Sequence, residues 1–131
     1  MANAPQRGPE VSGQEALLRG IFHPNWWDPD SKCLSSGVFG FPKFSAFVES
    51  LTDTYDLLQS FPDGSGTIRF NAGAARELGF DARHEPEEGN DAHANVYCDL
   101  SSSQRKKRAR KLVEASQLIA APDNEKLHSS R

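Results

Sequence analysis

Residues 84–98 read HEPEEGNDAHANVYC, a polar turn running into a strand. From Ala92 to Cys98 the alternation sets His93, Asn95 and Tyr97 on one face and Ala94, Val96 and Cys98 on the other. Five acidic side chains lie between Glu85 and Asp99, with His84 and His93 among them. If the chain carries a chemical site, this is where polar groups are dense enough to build one.

Outward from that strand, Thr67–Phe70 alternates in the same way, and Phe44–Leu51 reads as a further strand. A short helix follows over Thr54–Ser60, capped by Thr52 or Asp53. Phe61 to Gly66, with Pro62, Asp63 and Gly64, is a turn. Ala72–Leu78 reads as a helix closed by Gly79, and a long polar loop leads on to Ala92. Ser101 and Gln104 form a capping box for the last helix, whose apolar stripe is Ala109, Leu112, Val113, Ser116 and Ile119. Residues 15–22 fit a strand or a short helix, the run being too short for its period to decide. The prolines of 23–30 make that segment, with Trp26 and Trp27, a loop. The expected class is α+β: one small domain with a mostly antiparallel sheet, two or three short helices and a C-terminal amphipathic helix.

A chain of 131 residues suits one domain. The hydrophobic fraction is 37% and the mean hydropathy −0.63, and the polar ends account for much of the deficit. Residues 1–13 and 122–131 read as disordered tails around a domain spanning 14–121. A net charge of −3 argues against a surface built throughout for nucleic acid. The charge is uneven, however, because residues 105–111 carry six positive side chains while 77–99 are strongly acidic. Cys33 and Cys98 lack CxxC spacing, and neither a signal-peptide core nor a membrane-length apolar run is present. The expectation is a reduced, cytoplasmic setting without membrane association. No Gly-rich phosphate fingerprint appears, and no cofactor is expected.

His93 can serve as a general acid or base, or as a structural histidine bonded to a neighbouring strand. His84, His93, Cys33 and Cys98 supply the donors of a Cys2His2 zinc site, but their spacing matches no finger or ribbon, and Cys98 should point away from His93. No metal site is therefore expected. Glu85, Glu87, Glu88, Asp91 and Asp99 depart from a calcium-loop pattern and read as a solvated acidic loop. Arg105, Lys106, Arg108 and Lys111 head the basic run, near a helix N-terminus where the macrodipole disfavours them. Local helix stability does not explain that placement; the run pairs either with a partner, protein or nucleic acid, or with the acidic loop of the same molecule. Trp26 and Trp27 read as core, or, if exposed, as an anchor for a partner.

Arg19 on the first element, Ser35 and Ser36 after the tryptophan loop, and Glu85 downstream resemble the arginine, serine and glutamate of the ADP-ribosyltransferase fold. In that family the arginine and serine hold the nicotinamide dinucleotide and the glutamate polarises the ribose. The Ser-Thr-Ser and Glu-x-Glu patterns of the family are absent here. Leu18-Arg19-Gly20-Ile21, Leu34 to Phe39, Phe44-Ser45 and Gly89 to Val96 also resemble a group of small bacterial single-domain proteins, a likeness that implies no activity. Two functions follow. One is a non-catalytic accessory protein that docks a larger partner through its polarised surface, in a system that handles nucleic acid. The other is a nucleotide- or phosphodiester-directed enzyme using Arg19, Ser36 and His93. The enzyme requires those three in one concave pocket, whereas a docking protein disperses them and exposes a charged patch.

Overall fold

In the computed structural model, which describes residues 6–129, the alternating segments pair into one six-stranded antiparallel sheet. Its strands are β1 (Ala16–Ile21), β4 (Lys43–Val48), β5 (Gly66–Asn71), β6 (Phe80–His84), β7 (His93–Cys98) and β8 (Gln117–Ala120). They lie in the order β6-β7-β4-β1-β5-β8, while β2 (Trp27–Asp28) and β3 (Cys33–Leu34) form a separate ribbon. The helices among the described residues are α1 (Thr54–Ser60), α2 (Ala72–Glu77), α3 (Ser102–Glu114) and α4 (Asn124–Ser129). The α+β class read from the sequence is the one observed. Asp53 caps α1, Asn71 caps α2 and Ser101 caps α3, each accepting a backbone N–H from the first turn.

The undecided segment 15–22 holds a strand because β1 pairs with β5 along its whole length, from Ala16 opposite Asn71 to Ile21 opposite Gly66. Its other edge behaves differently. β1 meets β4 only at Leu17 and Leu18, opposite Val48 and Phe47, and the two strands then part. β4 continues against β7 from Phe47 opposite His93 to Lys43 opposite Tyr97. Arg19 stands where β1 and β4 separate.

The face bearing Phe44, Ala46 and Val48 carries the main core. The Phe44 ring lies 6.3 Å from Phe70 on β5 and 6.2 Å from Phe80 on β6. Each of those strands is two places from β4, about 10 Å away in a flat sheet. The sheet must therefore curl around this ring cluster. Phe39, from the 3-10 turn Ser36–Phe39, fills the centre, and Ala109 and Leu112 of α3 are fully buried in the same core. On the opposite face Phe47 packs against Phe61 and His93.

Parts of both ends pack against the domain. Val11 is buried, its N–H bonds Ala82 O, and His84 N–H bonds Pro9 O, so residues 9–11 cover the free edge of β6. At the other end Pro122 and Leu127 are buried, and Asn124 Nδ2 donates to Pro24 O and Trp27 O. Residues 1–5 and 130–131 of the expected tails lie outside the described residues. No helix among the described residues is long and apolar enough to cross a membrane.

Candidate functional site

Arg19 is 6% exposed, and among the described residues it has no carboxylate partner. Its Nε donates to Val38 O at 3.1 Å and its Nη1 to Ser45 O at 3.2 Å. The Ser45 carbonyl belongs to the part of β4 that β1 has left. Around the guanidinium stand Phe44 at 4.9 Å, Trp26 at 5.3 Å, Phe22 at 5.8 Å and Phe41 at 6.0 Å from their ring centroids. Ring faces offset part of the cost of burying a cation. They do not offset all of it: burial pulls the Arg19 pKa down to about 10. Beside the guanidinium lies an open cavity of about 310 Å³, whose polar wall comprises His23, Lys43, Ser45 and Asn95.

His93 lies close by but does not line that cavity. Its Nδ1 is 2.8 Å from Glu85 O, and since a carbonyl only accepts, Nδ1 carries the proton. Nε2 is 3.1 Å from Ser45 Oγ and 3.2 Å from Glu87 Oε1. With Phe47 edge-on at 5.7 Å, the ring ties β7 to β4 and to the loop after β6. His93→Ala is expected to lower stability by about 2 kcal/mol, because it opens a void and orphans the Glu85 carbonyl. Urea unfolding checks this, and an unchanged midpoint would release His93 from a structural role.

Glu85 organises the rest of this face. Its Oε1 accepts from Asn95 Nδ2 at 2.7 Å and Tyr97 Oη at 2.6 Å, and its Oε2 from Gly8 N–H at 2.6 Å. Burial opposes its ionisation, but the bonds from Tyr97, Gly8 and Asn95 outweigh that and hold the carboxyl below its ordinary range. Burial and the Glu85 hydrogen bond raise the Tyr97 phenol.

Ser36 sits elsewhere. It lines a separate cavity of about 360 Å³ with Ser35, Ser102, Arg105 and Lys106, so the structure brings it to the basic helix rather than to Arg19. Arg19, Ser36 and His93 therefore do not share one cavity. The chain matches no protein-family model, no curated protein and no solved structure. Trp26 and Trp27 are 9% and 8% exposed, and of the two only Trp26 reaches the Arg19 cavity.

On α3, Lys106, Lys107, Arg110 and Lys111 are exposed, while Arg105 and Arg108 are half-buried. Arg105 donates to Gly40 O and Leu100 O. None of the six cations forms an ion pair among the described residues. Of the acidic groups of 81–99, Asp81 pairs with Arg7 and Arg83, Asp99 pairs with Arg7, and Glu87 lies beside His93. Cys33 is exposed, Cys98 is buried, and both are free thiols. No group of three or more His, Cys, Asp or Glu able to hold a metal occurs among the described residues.

Sequence reasoning missed Ser45, His23, Phe41 and Lys43 as neighbours of Arg19. The available signal was Ser45 itself, a small polar residue on the alternating strand Lys43–Val48.

Proposed function

We propose that this protein is a non-catalytic docking module that engages an acidic protein surface through α3. The observation that carries the reading is the row of α3 cations, which pair with no carboxylate among the described residues although the acidic segment has several. Six of the chain's 15 Lys and Arg lie on this one helix, leaving nine elsewhere against 17 of the 18 Asp and Glu. A polyphosphate presents one sign everywhere and would be repelled by that remainder. A protein partner can present an acidic patch to α3 and tolerate or complement the rest. The separation of Ser36 from Arg19 and His93 also favours docking over the three-residue enzyme.

The variant that tests this uses the exposed cations. Lys106, Lys107, Arg110 and Lys111 all changed to glutamine leave Arg105 holding the 36–40 turn, so the fold is expected to persist. At about 0.5 kcal/mol for each exposed pair, binding should weaken about 30-fold at low salt. The measurement compares capture from lysate by wild type and variant, with and without nuclease. A protein retained by wild type through nuclease treatment and lost by the variant supports the reading. Capture abolished by nuclease would replace it with a nucleic-acid partner, and equal capture by both proteins would end it.

A further inference from the structure

We propose that the cavity between β1 and β4 is a binding site for a small molecule carrying one oxyanion on a planar, apolar ring. Arg19 supplies the first argument. A guanidinium has five N–H donors, and the two carbonyls take one each, so about three remain for a ligand. A cation this deeply buried without a carboxylate is costly on its own, and an arriving oxyanion supplies the missing countercharge. Lys43, exposed at the rim, adds a second positive group that attracts the anion without fixing its geometry.

The aromatic walls supply the second argument. Trp26, Phe22, Phe41 and Phe44 all line the cavity, and its 310 Å³ lies at the small end of ligand sites. Phe41 is 40% exposed although Trp26 and Phe44 beside it are buried, so its ring borders solvent where a ligand would enter. Such a ring is free to cover a planar group. Asn95 has committed its Nδ2 to Glu85, which leaves its oxygen to receive a donor on the ligand. The chemistry at the guanidinium is common to carboxylates and phosphate esters, and the probes below separate them.

Titration of full-length protein with benzoate, adenosine 5′-monophosphate and inorganic phosphate, followed by 1H–15N NMR, tests the site. The Arg19 Nε–H and Trp26 Nε1–H signals report on it directly. Saturable shifts of both signals are expected with a Kd of about 1 mM or tighter for benzoate or the nucleotide. Benzoate alone would assign a carboxylate, the nucleotide alone a phosphate ester. Arg19→Lys, which keeps the charge and loses the fork, should weaken binding about tenfold or more. Because that variant touches the interior, Lys43→Met with Phe41→Ala provides a second one confined to the rim, with a similar loss expected. Silence of both signals up to about 10 mM of every probe would overturn the proposal, as would unchanged binding in the rim variant. Inorganic phosphate binding as tightly as the nucleotide would remove the ring from it. The α3 glutamine variant should bind the probes like wild type, so this site and the docking surface stand or fall separately.

Discussion

Glu85→Ala is expected to lower the stability of the protein by about 3 kcal/mol near neutral pH, and to remove a large part of its acid sensitivity. The carboxylate receives three hydrogen bonds, from Asn95, Tyr97 and the Gly8 backbone. Bonds to a charged acceptor contribute about 1.5–3 kcal/mol each, and partial solvent access reduces the sum. Two of the donors lie on β7, and the third belongs to the segment that runs on to cover the edge of β6. The alanine variant should therefore loosen residues 6–11 as well as β7, which limited proteolysis would detect as cleavage near Gly8. The pH dependence follows from the direction of the Glu85 shift. Its folded-state pKa is below the unfolded value, so its stabilisation is fully present above the ordinary carboxyl value of about 4.3 and is lost as pH falls through the folded value. Urea midpoints measured at about pH 7 and about pH 3 should fall less steeply in the variant than in wild type. Equal slopes would show that other carboxylates dominate acid unfolding.

That a side chain in the polar turn holds so much together was only half legible in the sequence. The alternation of His93 to Cys98 announces a strand with His93, Asn95 and Tyr97 on one face, and the structure puts them there. Their common partner was hidden, because Glu85 stands eight to twelve residues away among other carboxylates of identical chemistry. The cap of α3 was readable, and that of α1 down to Thr52 or Asp53, because capping is local: Asp53 and Ser101 each meet a donor three residues on. β6 was not. Phe80 to His84 is short, polar at alternate positions, and becomes a strand only because β7 and residues 9–11 lie on its two sides. β8 was absorbed into the end of the last helix for a related reason. Ser116 and Ile119 look like a continuation of the α3 stripe until pairing of Gln117, Leu118 and Ala120 with β5 draws this segment into the sheet. Arg19 could be singled out as unusual in an apolar run, yet its aromatic surroundings depend on the parting of β1 and β4, which no local pattern records.

Phe39→Ala is expected to cost about 4 kcal/mol, the largest single loss among the side chains discussed. Phe39 is fully buried, with its ring 5.5 Å from Phe44 and 5.1 Å from Phe70. It comes from a 3-10 turn rather than a strand, so it plugs the curled sheet from outside the ladder, and no backbone pairing would compensate for its removal. The contrast with Phe41 makes the test sharp. Two residues further on, that ring is 40% exposed, and Phe41→Ala should cost under about 1 kcal/mol. The same substitution two positions apart thus separates core from cavity rim. Phe39→Leu, which keeps most of the apolar volume, should recover more than half of the loss. The turn also carries Val38, whose carbonyl accepts from Arg19 Nε. Where Phe39→Ala leaves the protein folded at low temperature, the Arg19 Nε–H signal should shift and broaden, because the plug and the clamp on the guanidinium belong to one turn. Equal urea midpoints for the Phe39 and Phe41 variants would mean that the sheet closes over the void, and would contradict the curl inferred from the ring cluster.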